Sequence, residues 1–318
     1  VNPLSGLYGG VAGLRNALFD RGVLSSRRLK QPVVSVGNLS AGGSGKTPFV
    51  IALGGLLKAR GIRFDVLSRG YGRKSRGLLV VEAEGKAADF GDEPLLIARR
   101  LGVPVVVGES RYAAGIVAEE KFDSQLHILD DGFQHRSLVR DFDIVLMTEH
   151  DFEDMLLPLG RLREPLSSLA RADAVVLPAG LRIDHPSLRQ KPIWRMEREL
   201  VIGDAPSAPI VFCGIARPEQ FFEQVRATGI LPAAEVEFRD HHAYGRSDVE
   251  RLIAMRGKLG AGGFVTTEKD AINLESPSSS FREELKPLAI ATLTLTLDHP
   301  ADIVDTILTT IAERNARS

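Results

Sequence analysis

The sequence predicts an α/β fold: a parallel sheet flanked by helices, followed by a second, smaller α/β domain. Three observations carry that expectation. Short apolar, β-branched runs such as "PVVSVG" and "VPVVVGES" alternate with longer helical patterns. Strands that are apolar on both faces suit a parallel sheet covered by helices on both sides. After residue 180 a turn-rich stretch, "RIDHPSLRQKP", separates two such series. The composition is ordinary globular, with 318 residues, 44% hydrophobic and 25% charged, so there is material for one large domain or two.

Residues 1–30 form the first element. Leu4, Leu7, Tyr8, Val11, Ala12, Leu14, Leu18 and Phe19 recur at helical spacings, and five basic residues (Arg15, Arg21, Arg27, Arg28, Lys30) face one acid, Asp20. Such a helix suits an anionic membrane surface. It equally suits packing on a domain core with its charges solvated, and both readings stay open at this level. The longest uncharged run there is 14 residues, short of the roughly 20 that a span requires. No cleavable signal peptide is expected, because a basic n-region with a cleavage site is missing.

Residues 31–181 read as the larger domain. "PVVSVG" (32–37) is a buried strand, followed by a glycine-rich loop and a helix over 48–61. Strands follow at 64–70, 103–110, 126–132, 142–148 and 173–180, with helices over 92–102 and 111–122 and a loop and helix over 158–172. "GLLVVEAEG" (77–85) reads as an inserted hairpin arm. Residues 182–195 are the expected linker, and 196–318 the smaller domain. Its strands are "PIVFCGI", "AAEVEFRDHHAY", "GGFVTTEKDA" and "LAIATLTLTL", closed by the helix "PADIVDTILTTIAER". Right-handed crossovers put the strand C-termini on one rim, where ligands bind.

Several classes are disfavoured at once. Net charge is −1 and no basic arm is present, so no nucleic acid partner is expected. Cys213 is the only cysteine, which excludes an internal disulfide and points to a reducing compartment.

The chemistry-bearing segments lie at predicted strand ends. "NLSAGGSGKTPFV" (38–50) sits between a strand and a helix. Gly42, Gly43 and Gly45 let backbone N–H groups curl around phosphate oxygens, and the helix N-terminus adds positive charge. Lys46 reaches terminal phosphates and the Thr47 hydroxyl suits Mg²⁺. The general pattern G-x-x-x-x-G-K-[ST] wants glycine where this chain has Ser40, a tolerable exchange if that position is not left-handed. "LHILDDG" brings Asp130 or Asp131 to the same rim as a metal partner. Gln134, His135 and Arg136 follow. Together these read as a P-loop NTPase-type sheet.

Other segments are less specific. In "GDEP", Asp92 before Glu93 and Pro94 has the look of a helix cap, with a base for an acceptor hydroxyl as the alternative. Arg69, Arg73, Lys74 and Arg76 with Tyr71 form a basic loop that attracts phosphates. Arg161, Arg163 and Glu164 lie in another strand-end loop, where an arginine suits charge neutralisation during phosphoryl transfer. "RDHHAY" crowds Asp240, His241 and His242 without the spaced ligands of a zinc site. "TTEKD" (266–270) fails the spacing of a guanine-reading motif and reads as a strand-to-helix turn.

Taken in order, "VSVGNLSAGGSGKTP", "LSRGYGRK", "GDEP", "ILDDGFQHR", "LPLGRLREPL", "FCGIARPEQF", "RDHHAY" and "TTEKDA" closely resemble the tetraacyldisaccharide 4′-kinase family, from the N-terminus to about residue 275. That family's loop has the form GNLxxGGxGKTP, which Ser40 fits. The resemblance implies transfer of the ATP γ-phosphate to the 4′-hydroxyl of an acylated glucosamine disaccharide 1-phosphate in lipid A biosynthesis, with Mg²⁺. It implies a peripheral protein on the cytoplasmic face of the bacterial inner membrane, held by its N-terminal helix, and no obligate protein partner is expected. By motif, Gly42, Gly43, Ser44, Gly45, Lys46, Thr47, Gln134, His135 and Arg163 would bind nucleotide. Thr47, Asp130, Asp131 and Glu164 would serve the metal. Asp92 would be the base, oriented by His241, with Lys46 also catalytic; Asn38, Arg69, Tyr71 and Arg111 would meet the acceptor. The glycine loop alone is also compatible with a nucleotide switch acting on a protein, or with a soluble small-molecule kinase.

Overall fold

A computed structural model describes residues 3–43, 45–275 and 281–317. Ser44, one of the expected phosphate-loop residues, lies outside the described residues. The strands are β1 (Val33–Asn38), β2 (Phe64–Ser68), β3 (Leu79–Val80), β4 (Val105–Val107), β5 (Leu126–Asp130), β6 (Phe142–Leu146), β7 (Ala174–Pro178), β8 (Ile193–Ile202), β9 (Ile210–Cys213), β10 (Ala234–Glu237), β11 (Phe264–Thr267) and β12 (Leu288–Leu297). The helices are α1 (Pro3–Asp20), α2 (Lys46–Ala59), α3 (Ala87–Phe90), α4 (Asp92–Leu101), α5 (Arg111–Lys121), α6 (Pro218–Ala227), α7 (Arg246–Leu259), α8 (Glu268–Asn273), α9 (Phe281–Glu284) and α10 (Pro300–Arg317).

All twelve strands join one sheet, in the order β10-β9-β11-β12-β8-β7-β6-β1-β5-β2-β4-β3. β1, β2, β4, β5, β6 and β7 are parallel, and their side chains are buried almost throughout, as expected of strands covered on both faces. β9, β10, β11 and β12 form a second parallel block. The expected hairpin arm at 77–85 is instead a two-residue edge strand, β3, antiparallel to β4 and followed by a turn. The "ARA" end of 158–172 forms a 3-10 turn over Leu166–Arg171 rather than an α-helix.

β8 joins the blocks, and sequence reading placed its start inside the linker. Its residues 193–196 pair parallel with β7, and its residues 196–202 pair antiparallel with β12. "IWRMERELVI" alternates charged and apolar residues because half of it stands clear of the first block, half-buried or exposed. This register has a functional consequence. β8 runs past the carboxyl rim of β7 and carries the second block beyond it. β12 reverses direction, so β9, β10 and β11 point their C-termini back toward the first block. The two carboxyl rims therefore face each other.

The last helix, assigned by pattern to the second block, packs on the first. Ile303, Val304, Ile307 and Ile311 of α10 join Val34, Phe49, Leu53 and Ile144 in one core cluster. A separate aromatic core, with Phe212 edge-on to Phe238, Tyr244 and Phe264, fills the second block.

Candidate active site

The glycine loop leaves β1 at Asn38 and enters α2 at Lys46. Ser40 is not left-handed; it is buried, forms an antiparallel bridge with Leu162, and accepts a 2.7 Å hydrogen bond at its carbonyl from Asn38. Ala41 N–H donates to Arg161 O and Arg163 N–H to Leu39 O, so the first half of the loop is a short strand pinned by "GRLREP". A glycine at 40 is unnecessary there. The turn is made by Gly42 (φ 97°) and Gly45 (φ 85°). At Gly45 a side chain would also strike the Arg198 guanidinium at 2.7 Å.

Asn38 is the hub. Its side-chain oxygen accepts from Lys46 Nζ (3.1 Å) and Arg163 (2.5 Å), while Gln134 donates to its carbonyl at 2.9 Å. Arg163 also grips Asp131 with two bonds of 2.9 and 3.1 Å, and Lys46 lies 3.5 Å from the same carboxylate. Burial opposes the Asp131 charge, but Lys46 and Arg163 hold its pKa down to about 2. With 40% of that side chain exposed, water shares in the stabilisation. Asp131 has φ 50°, a left-handed conformation that aspartate tolerates better than most residues. Asp130 differs. It is buried, Ser68 Oγ donates to it at 3.1 Å, and burial with the neighbouring Glu93 and Asp131 carboxylates pushes its pKa up to about 7. Thr47 is buried at the start of α2 beside the loop. Glu164 is engaged elsewhere, by Arg171 at 2.9 Å and by Asn16 of α1 at 2.6 Å, although its other oxygen is buried with no hydrogen-bond partner among the described residues.

A second cluster is basic. Arg111, the first residue of α5, is 7% exposed, donates to Glu109 O, and its Nε has no partner among the described residues. Burial and the adjacent Arg69 depress its pKa. Burial and the charges of Arg111, Arg140, Arg15 and Arg69 lower the pKa of His135 to about 4, so it is neutral at neutral pH. Such a crowd of positive charge is built for an anion.

From the opposite rim comes His241. Its Nδ1 lies 2.8 Å from Asp92 Oδ2, and its ring is 5.3 Å from that of the exposed Tyr71. His242 turns away, bonded to Asp248 at 3.0 Å and stacked on Phe238. Asp92 is not the cap of α4: Gly91 (φ 90°) takes that place, and the Asp92 carboxylate, 4% exposed, accepts from the Glu93 N–H at 2.9 Å. Burial works against its charge, but His241, Lys269 and the Glu93 amide together lower its pKa. His241 is raised in turn, chiefly by Asp92. The pair is a hydrogen bond that joins the two rims.

Sequence reasoning missed three participants. Ser68, within "FDVLSRG", ends β2 on the same rim, a positional clue that was available. Arg198 lies in β8, whose strand nature the charges concealed. Lys269 bonds to Glu93 from "TTEKD", a segment that has no function until the two rims meet.

A strand, a glycine loop opening a helix, a lysine, paired acids at the neighbouring strand end and a buried carboxylate paired with a histidine define an α/β P-loop phosphotransferase. The chain belongs to the tetraacyldisaccharide-1-P 4′-kinase (LpxK) family, whose model matches residues 1–312. It is 46% identical over 324 residues to the tetraacyldisaccharide 4′-kinase of Koribacter versatilis (strain Ellin345), covering 99% of each chain. It is 40% identical to the enzyme of that name from Aquifex aeolicus (strain VF5), over 89% of this chain and 92% of the relative. A crystal structure of LpxK from Aquifex aeolicus in complex with ATP superposes with a TM-score of 0.79 at 35% identity, covering 97% of this chain and 98% of that one.

Proposed function

We propose that this chain transfers the γ-phosphate of ATP to the 4′-hydroxyl of a tetraacylated glucosamine disaccharide 1-phosphate, with Asp92 as the base. The observation that carries this reading is the buried Asp92 carboxylate, met at 2.8 Å by His241 from the opposite rim. The backbone of Gly42, Gly43 and Gly45, with Lys46, cradles the triphosphate, and Gln134, His135 and Arg163 complete that side. Asp92 accepts the proton of the attacking hydroxyl, and His241 orients the carboxylate. Arg69 and Arg111, with Tyr71 and Asn38 near, receive the acceptor and its 1-phosphate.

The residues present fit a divalent cation. Asp130 is a buried carboxyl that feels the negative charges of Glu93 and Asp131, with Ser68 as its hydrogen-bond donor, a setting that positive charge relieves. Asp131 is committed to Arg163 and Lys46, and Glu164 to Arg171 and Asn16, so Asp130 with Thr47 would be the principal holders of Mg²⁺. Bound there, Mg²⁺ neutralises phosphate oxygens. Among the described residues there is no group of three or more His, Cys, Asp or Glu to cage a metal, as suits an ion that keeps phosphate and water ligands.

The reading extends to a peripheral site on the cytoplasmic face of the inner membrane. α1 docks beside the site through Ser5 to Leu156 O, Tyr8 to Arg163 O and Asn16 to Glu164. Its outer face exposes Leu7, Val11 and Leu14. Among the described residues no helix is long and apolar enough to cross a membrane. An acyl acceptor leaves a bilayer at a cost of about 0.8 kcal/mol per CH₂, so bringing the rim to the headgroup is the favourable course. We further propose that the expected domains, 31–181 and 196–318, act as two units with one amendment: α10 moves with the first block, on whose core it packs, and the strands β9–β12 close against it over the substrates, excluding water. The test is transfer of labelled phosphate from ATP to the tetraacyl disaccharide 1-phosphate. Lys46→Ala should abolish it; an unlabelled lipid with wild-type protein, together with ATP hydrolysis stimulated by another protein, overturns the reading.

A further inference from the structure

The "TTEKD" turn has charged groups that the reaction scheme leaves unused, and each reaches a different part of the cleft. Glu268 pairs with Arg100 of α4 at 2.6 Å. Lys269 pairs with Glu93, the residue after Asp92. Asp270, fully buried, accepts from the Gly214 N–H and the Tyr244 hydroxyl, both at 2.8 Å, and from Thr267 Oγ1 at 2.5 Å. Gly214 in turn accepts the backbone N–H of His241 at 3.1 Å, and a side chain at 214 would strike Arg239 O at 2.7 Å. His241 is held at φ 55°, a strained conformation for histidine that its surroundings must impose.

We propose that the Thr267–Asp270 turn is a clamp that positions the Asp92–His241 pair: Lys269 fixes the aspartate's side of the cleft and the adjacent Asp270 fixes the histidine's loop. Two consecutive residues thus hold both members of a pair that come from opposite blocks of the sheet. The inference rests on the reading of Asp92 as base. Asp92 is faced by His241 and Lys269 from the second block and by the Glu93 amide on its own helix. Asp240 lies near both His241 and Lys269, and the Asp270 carboxylate is close enough to feel the Asp92 charge. Lys269 is the cation that offsets this acidic surrounding, and its charge favours the ionised Asp92. Lys269 and Asp270 are positioning residues; neither needs to touch substrate.

The test uses the full chain with Lys269→Gln, Lys269→Arg and Asp270→Asn. The readouts are kcat, KM for ATP and for the lipid acceptor, the pH profile of kcat/KM, and Tm. Lys269→Gln should lower kcat about tenfold, the loss of one charge-assisted contact. KM for ATP should stay within about twofold, because the glycine loop is untouched. The acid limb of kcat/KM should move to higher pH, since Asp92 loses a cation, and Lys269→Arg should restore both. Asp270→Asn should lower kcat with the acceptor side affected and ATP binding spared. Should Lys269→Gln unfold, Lys269→Met removes the same charge and should show the same kcat loss and the same shift of the acid limb; should Asp270→Asn unfold, Tyr244→Phe removes one donor to Asp270 and should lower kcat in its place. Wild-type kcat and an unmoved acid limb in folded Lys269→Gln overturn the clamp, even if Tm falls. An active Asp92→Asn variant would instead overturn the assignment of the base, so the two failures are distinguishable.

Discussion

Replacing His241 tests the cleft most directly, and two replacements are better than one. The imidazole donates to a carboxylate that is 4% exposed, so screening by water is slight. A hydrogen bond of this charged kind contributes about 1.5–3 kcal/mol, which corresponds to roughly a 10- to 100-fold loss of kcat when it is removed. The backbone sets a second magnitude. At φ 55° alanine is strained by about 1 kcal/mol and glycine is not. For a chain of this size 1 kcal/mol shifts Tm by about 2 °C. His241→Gly should therefore melt about 2 °C above His241→Ala, while both are equally slow. Loss of His241 removes the main influence that lowers the Asp92 pKa and leaves burial, which raises it. With Asp92 as the proposed base, transfer requires its ionised form, so the acid limb of the pH–rate profile moves to higher pH in both variants. Steady-state transfer of labelled phosphate and a thermal melt are the assays. Wild-type kcat in His241→Gly would refute the reasoning. So would a larger kcat loss in His242→Ala, because His242 faces Asp248.

Other perturbations have equally definite outcomes. Ser40→Gly restores the general loop pattern, yet it should cost about 1 kcal/mol in denaturant unfolding and leave nucleotide affinity no tighter, because Ser40 is buried in extended pairing. His127 is fully buried against Asp65 at 2.8 Å, with Glu119 at 3.4 Å. Burial lowers its pKa, but these acids outweigh it and the net shift is upward, so its contribution is fully present below the unfolded value of about 6.5 and is lost as pH rises through the folded pKa. His127→Asn should flatten that part of the stability–pH curve and cost about 3–5 kcal/mol at pH 6, measured by urea unfolding. Changing Leu7, Val11 and Leu14 together to serine should weaken co-sedimentation with anionic vesicles at least about 100-fold, with transfer to a water-soluble acceptor unchanged.

Much of the first block was legible because its signals are local. A strand apolar at every position, Gly-Lys-Thr opening a helix, and adjacent acids closing a strand each lie within a few residues. β8 was not legible, because a strand whose second half stands outside the first block has charged residues where a buried strand would not. Nor could pattern tell that α10 returns to the first core, since an amphipathic helix states which face it buries but not against what. The site divides in the same way. The glycine loop, Lys46, Asp130 and Asp131 follow from spacing. Locally, Asp92 resembled a cap, and the base reading came from the family resemblance alone; the structure adds its burial and its contact with His241, 149 residues later in the chain.

By itself the sequence determined the chemistry on offer: a phosphate-binding turn, acids for a metal, arginines for anions, and an apolar basic first helix. It also determined the family, through an ordered set of motifs. The tertiary structure decided which groups meet. Ser40 is extended because 161–163 pairs beside it. His241 rather than His242 reaches Asp92 because a left-handed residue turns one ring outward and leaves the next on Phe238. The two carboxyl rims face each other because β12 runs antiparallel to β8. Local propensity has no knowledge of that reversal. It arises from strand register across residues far apart in the chain, and the register brings His241 of one rim against Asp92 of the other.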